Sequence, residues 1–346
     1  MAINLMNVKP NLPKANIEDY FWLIMGVPKG GKTSLLYKIA DKKFDGDVSK
    51  LLLLAFERGY NALYGIHAVD IEKFEDFQEV VTQLIEEKDN LPYRLIGLDT
   101  LDVMWSLAEE HVVRKQSVVD KKRYKTISDI PWGAGWGLVA DAVQKEINRL
   151  SKAGFGLFAI THVKEKKFET RSGLSFDKYT ATLTNKAREL FVGMADFVLF
   201  LDVTKEKEGD SIVDKRYIYF RTDGTVEAGS RFAHVPEKIE YDVDLFLETF
   251  EQAVLAEYNG DKNALTKAKE EQEKEKVEQV KEFVEEQKSA MTVEELQVQM
   301  DELVKAMDST KLDTFKKAIK EKFGIVNYKK YDLEQLQEAL EMAKSL

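Results

Sequence analysis

Eight consecutive residues, Gly26-Val27-Pro28-Lys29-Gly30-Gly31-Lys32-Thr33, carry the pattern GxxxxGKT. An apolar run, residues 20–25, precedes them, and Ser34-Leu35-Leu36-Tyr37-Lys38-Ile39-Ala40 follows as the opening of a helix. Glycines let successive backbone N–H groups wrap a phosphate, and a helix N-terminus behind them offers partial positive charge. In such a loop residues 26–34, ending at Ser34, surround the phosphates. Lys32 reaches the β- and γ-phosphates and the Thr33 hydroxyl ligates Mg²⁺. The alternative is a glycine turn that only joins strand to helix, and the complete pattern at a strand–helix junction argues against it. The sequence predicts a nucleoside-triphosphate site, with ATP and Mg²⁺ as the expected ligands.

A second carboxylate belongs with this loop. Residues 93–98 read as an apolar strand that ends in Asp99-Thr100-Leu101-Asp102. A carboxylate at such a strand end, about 70 residues after a P-loop and within a strand–helix alternation, holds the Mg²⁺ shell together with the loop hydroxyl. Asp99 is the expected metal partner of Thr33. Asp102 reads as a carboxylate in the first turn of the next helix.

Composition narrows the class. The chain has 346 residues, 44% hydrophobic and 32% charged, with a net charge of −10 and no cysteine. Disulfides, zinc–thiolate sites and cysteine nucleophiles are excluded. No apolar run reaches membrane-spanning length, and residues 1–11 lack a signal-peptide core. A protein of the cytoplasm, without membrane contact, is expected. The negative balance argues against coating nucleic acid through bulk charge, yet two segments run the other way. Residues 112–126 carry Arg114, Lys115, Lys121, Lys122, Arg123 and Lys125 against Asp120 alone. Residues 163–188 carry Lys164, Lys166, Lys167, Arg171, Lys178, Lys186 and Arg188 against three acids.

The elements that must position these groups alternate. Strands are predicted at 20–25, 50–56, 93–98, 155–160 and 197–201, with a hairpin partner at 212–220. Helices are predicted at 32–40, 74–88, 101–111, 138–152, 183–193 and 242–258. The continuous apolar run at 50–56 is that of a strand buried on both faces. Alternation followed by antiparallel strands predicts an α/β fold with a mostly parallel sheet and late antiparallel strands. Ligands in such sheets sit beyond the carboxyl ends of the strands, which is where Glu57, Asp99 and His162 fall.

Domain organisation follows from composition. Residues 1–19 form a lead-in and 20–260 the nucleotide domain. Residues 261–290, rich in Lys, Glu and Gln, read as a charged helical linker. Residues 291–346 recover apolar periodicity and predict three short helices as a small accessory module, opened by a capping box of Thr292 and Glu295. A module for a protein or DNA partner and a tail that merely stabilises an oligomer are equally compatible with it.

The order of P-loop, Glu57 in Ala55-Phe56-Glu57-Arg58-Gly59, Asp99, Thr161-His162 and Ala228-Gly229-Ser230-Arg231-Phe232 resembles the RecA/RadA recombinase core over residues 15–258. Within it, the chain is most similar to minimal phage-encoded RecA-core ATPases of single-strand annealing and recombination. The resemblance implies a RecA-like P-loop NTPase that works as a ring or filament. It implies that Glu57 orients the attacking water, although an exposed loop Glu is the plainer reading. His162 takes the γ-phosphate sensor position, against the alternative of a buried, satisfied histidine. Arg231 becomes a candidate arginine finger across a subunit interface, or else a surface ion pair. The basic segments fall where the family keeps its DNA loops, with Tyr124, Phe168, Phe176 and Tyr179 as stacking candidates for single-stranded DNA. The absence of cysteine removes the zinc module of RadA-like proteins. An ATP-dependent single-stranded-DNA recombination protein is therefore expected; a helicase or branch-migration motor, or a nucleotide-controlled protein switch acting without DNA, stand behind it.

Overall fold

In the computed structural model, residues 10–169, 173–209 and 211–344 are described. The strands whose sequence is apolar throughout are those that lie in the centre of the sheet. The first, β1 (Phe21–Gly26), is buried along its whole length, as is β2 (Leu51–Ala55). Between them runs α1 (Lys32–Lys43), after which come β3 (His67–Asp70), α2 (Phe74–Glu86) and β4 (Leu95–Asp99). Next are α3 (Leu101–Val119), α4 (Ala134–Lys152), the hairpin β5 (Gly156–Glu169) and β6 (Ser175–Ala181), and α5 (Asn185–Met194). The remainder of this unit is β7 (Phe197–Glu208), β8 (Ser211–Tyr219), β9 (Gly229–Ser230), β10 (Lys238–Glu240) and α6 (Val243–Glu257).

The strand order is β10-β8-β7-β1-β5-β4-β2-β3, with β6 beside β5 and β9 beside β7. From β7 to β3 every neighbour is parallel, whereas β8, β10, β6 and β9 join antiparallel. On one face α1 and α6 close over Trp22, Ile24, Leu53, Phe158 and Leu199. The other face is covered by α3, α4 and α5, with α2 packed against α3 and α4. Trp22 organises the first face. Its ring stacks on Phe197 at 4.0 Å and on Phe158 at 5.6 Å, and its buried indole N–H donates to the Ile17 carbonyl at 2.9 Å.

Two predicted boundaries move furthest. The helix expected to stop at 111 continues as α3 to Val119, so Arg114 and Lys115 lie on a helix and not in a loop. The strand expected at 155–160 continues through charged residues to Glu169, because β6 supplies its hydrogen-bond partners. The edge strand β3 has no apolar run and was not foreseen; it pairs parallel to β2.

The expected linker is the first part of a long helix, α7 (Lys262–Ala306). The chain divides into units at Glu278 and Gln279, not at 260. Gln272 explains why: its amide accepts from Ala15 N at 3.1 Å and donates to the Pro13 carbonyl at 3.0 Å, holding the lead-in segment. In the second unit the end of α7, α8 (Ser309–Phe323) and α9 (Leu333–Lys344) enclose Met300, Phe315, Ile319, Tyr331, Leu336 and Leu340. Because α7 runs through residue 292 without a break, no helix start exists for the predicted capping box. The side chains of Thr292 and Glu295 lie outside the described residues. Among the described residues no helix is long and apolar enough to cross a membrane.

Removal of the Trp22 ring deletes two stacked contacts and leaves a buried carbonyl unpaired. Trp22→Ala is expected to cost about 3–5 kcal/mol, read as a lower denaturant midpoint at unchanged slope.

Candidate functional site

Parallel pairing fixes which residues meet. The β1–β5 register sets Gly26 opposite His162, and the β2–β4 register sets Ala55 opposite Asp99. The P-loop, Glu57, Asp99 and His162 therefore emerge along one edge of the sheet. Gly26 must be glycine because a Cβ there would stand 2.8 Å from the Leu201 carbonyl oxygen of β7. The loop turns through left-handed backbone at Lys29 (φ 61°) and Gly31 (φ 96°). Gly31 caps α1 without any side-chain acceptor, so the first-turn N–H groups of residues 32–34 are left facing the loop. That is an anion-binding cradle, and residues Val27, Pro28, Gly30 and Ser34 form its wall with those already named.

Lys32 is buried to 5% exposure, and its ammonium uses all three donors: Gly26 O at 2.9 Å, Val27 O at 2.9 Å and His162 Nδ1 at 3.2 Å. Burial lowers its pKa, while Asp99, Asp102 and Glu57 pull it back up. The Thr33 hydroxyl donates to Asp99 Oδ2 at 2.6 Å. Burial raises the pKa of Asp99, against the Thr33 hydrogen bond and the Lys32 charge. A half-buried hydroxyl and a buried carboxylate in contact, with glycine at position 59 so that even a Cβ would stand 3.9 Å from Asp99 Oδ2, form an all-oxygen donor pair suited to a hard divalent cation. The residues present fit both a phosphate chain and Mg²⁺.

His162 bridges the two sides. Because a lysine ammonium can only donate, Nδ1 accepts, and in the neutral ring Nε2 then carries the proton toward Glu57 Oε2 at 3.3 Å. Its backbone is held by Asp102. One Asp102 oxygen accepts from Thr161 Oγ1 at 2.8 Å and from His162 N at 3.1 Å, and the other accepts from the Thr182 hydroxyl. Thr182 N in turn donates to the His162 carbonyl at 2.9 Å. Asp102 thus does more than face a helix N-terminus: it ties α3 to the point where β5 leaves the sheet and β6 returns.

Two participants carry no local signal in the chain. Thr182 is placed by strand pairing. Tyr241, after β10, donates its hydroxyl to Gly31 O at 2.9 Å, and burial pushes its pKa up to about 12. It braces the cap residue of α1 from 210 positions away.

Other predicted residues stand elsewhere. Arg231 follows β9, which pairs with the start of β7, at the end of the sheet opposite the P-loop. There it bonds Asp196 at 3.0 Å and Gly193 O at 3.0 Å, so within its own chain it has no part in the nucleotide site. In the first basic segment Arg114 is committed to Glu75 by two bonds of 2.8 Å. Tyr124 is buried with its hydroxyl on Asp120, which removes it as a base-stacking ring. Lys115, Lys121, Lys122, Arg123 and Lys125 remain exposed. The second segment is a hairpin rather than a loop, with Lys164, Lys166 and Lys167 exposed on β5. Arg171 lies outside the described residues.

The sequence matches the profile of a family described as AAA domain (AAA_24) over residues 18–232, more than half of the chain. It is 31% identical over 170 residues to an SPbeta prophage-derived uncharacterized protein, YorG, of Bacillus subtilis strain 168. That match covers 48% of this chain and 48% of the relative, so the alignment spans about half of the relative's length. Among solved structures, a KaiC-like protein from the archaeon Pyrococcus horikoshii OT3 aligns with 14% identity and a TM-score of 0.35, over 65% of this chain and 86% of its own.

Asp102→Ala releases Thr161, Thr182 and the His162 backbone together. Loss of a charged acceptor with three donors should cost about 2–3 kcal/mol in stability. ATP turnover should fall more than ATP affinity does, checked by comparing kcat with nucleotide Kd in the same variant.

Proposed function

The chain belongs to the AAA domain family and is a P-loop ATPase, and from that premise we propose that it binds single-stranded DNA through its β5–β6 hairpin and couples that binding to ATP hydrolysis as an oligomer. Lys32, Ser34 and the loop N–H groups would hold the phosphates. Thr33 and Asp99 would hold Mg²⁺, which supplies neutralisation of charge on the β- and γ-oxygens. Glu57 is exposed, close to the metal pair without belonging to it, and can accept a hydrogen bond from the attacking water. His162 keeps Glu57 in that position.

The observation that carries the DNA reading is the continuity of β5. His162, which touches Lys32 and Glu57, is two residues from Lys164 and four from Lys166 on the same strand. Directly paired residues share a face of a hairpin. Lys164 opposite Thr180, Lys166 opposite Lys178 and Phe168 opposite Phe176 therefore lie on one face. The two phenylalanine rings stack at 6.0 Å. The other face mixes signs, with Lys167 opposite Asp177 and Glu165 opposite Tyr179. Three cations beside an aromatic pair suit a flexible strand, whose phosphates take the lysines and whose bases take the rings. Duplex DNA, with its bases stacked inside, cannot use the rings.

Because Arg231 lies at the far end of the sheet with its side chain 62% exposed, any nucleotide it contacts belongs to another copy. This supports a ring or filament in which sites form between protomers. The prophage origin of the Bacillus relative supports a phage setting for the proposed role.

Charge reversal of Lys164, Lys166 and Lys178 to Glu is the direct test, read by fluorescence anisotropy of a labelled single strand. At least a tenfold loss of affinity (about 1.4 kcal/mol) is expected. The slope of log affinity against log salt should drop by roughly 2. Unchanged affinity and slope would remove the hairpin as the DNA surface. Reversal of Lys121, Lys122 and Arg123 tests the first basic segment in the same assay.

A further inference from the structure

The second unit segregates its charge. Residues 309–330, which include α8 and the turn after it, hold seven lysines against Asp313 and Glu321, in a chain whose net charge is −10. The helices on either side, α7 and α9, are rich in glutamate. Two of the seven lysines are neutralised: Lys322 by Glu338 at 2.7 Å and Lys329 by Asp301 at 3.0 Å. Among the described residues, Lys311, Lys316, Lys317, Lys320 and Lys330 have no ion-pair partner. A buried apolar face orients the helix. Phe315 and Ile319 are fully enclosed with Met300 and Leu336, which turns Lys316, Lys317 and Lys320 outward. Positions three and four apart on a helix are surface neighbours, so Lys320 stands beside both Lys316 and Lys317. Asp313, three and four residues before the first two, and Glu321, four residues after Lys317, share this exposed side, so three lysines face two carboxylates and the ridge keeps a net positive charge.

We propose that this α8 ridge is a second nucleic-acid surface that binds the phosphate backbone of duplex DNA without reading its sequence. The ridge offers point charges on flexible stems and no ring: Phe315, Phe323, Tyr328 and Tyr331 all face the unit's core. Lysines without aromatics recognise a phosphate lattice, whereas single-strand surfaces add stacking rings. This separates the ridge from the β5–β6 hairpin, which has the rings. A chain with one surface of each kind can hold a single strand and a neighbouring duplex at once. Duplex binding by the ridge, measured with nucleotide and single strands absent, is separate from the hairpin's role.

The test uses the full chain and a short labelled duplex in a salt titration. K316E/K317E/K320E is expected to weaken duplex binding at least tenfold and to reduce the salt slope by roughly 3. ATP turnover without DNA should be unchanged, which together with an unaltered circular dichroism spectrum shows that the variant is folded. The milder K316Q/K317Q/K320Q removes the charge while keeping a polar, helix-favouring side chain and should fall between the two. Duplex affinity and slope equal to wild type in a folded variant would overturn the proposal. So would intact duplex binding combined with lost binding to polyglutamate, which would assign the ridge to an acidic protein.

Discussion

One ladder of backbone hydrogen bonds, between β1 and β5, governs the site. It sets Gly26 opposite His162 and Met25 opposite Thr161, so the loop that cradles phosphate and the strand that leads to the hairpin leave the sheet side by side. A slip of one residue would turn Thr161 and His162 to the wrong faces. Lys32 would then lose Nδ1, and Asp102 would lose two of its donors. The ladder is held in register by packing: Trp22 between Phe158 and Phe197 allows no alternative without opening the core.

From that constraint the chemistry follows in short steps. The cradle is made of backbone, so it needs Gly26 for the approach of β7 and Gly31 for the left-handed cap, which Tyr241 then braces. The Thr33 hydroxyl and the buried Asp99 carboxylate hold one another and form an oxygen pair suited to a divalent cation. His162 occupies the space between Lys32 and Glu57 and contacts both. Asp102 joins the His162 backbone to Thr182, and so connects this site to both strands of the hairpin.

Much of this was legible in the residues. The GxxxxGKT loop, Asp99 at a strand end, and the buried runs at β1 and β2 are local signals, because apolarity and glycine spacing report on neighbours in sequence. What was not legible depends on distant pairing. Residues 163–169 are too charged to read as a strand, and they become one because residues 175–181 satisfy their backbone. Tyr124 looks like a stacking ring until the fold buries it on Asp120. Arg231 sits in a motif of the right type, yet only the sheet topology places it away from its own nucleotide site. The first part of α7 has a linker's composition, and Gln272 is what commits it to the ATPase unit.

The claim that nucleotide site and DNA hairpin are one mechanical strand is tested most directly by steady-state ATP turnover with rising single-stranded DNA, using Lys32→Ala as the blank. The account predicts saturable stimulation in the wild-type chain, absent in Lys32→Ala and reduced when the hairpin lysines are reversed. Turnover that ignores single strands, in protein shown by anisotropy to be DNA-bound, would contradict it.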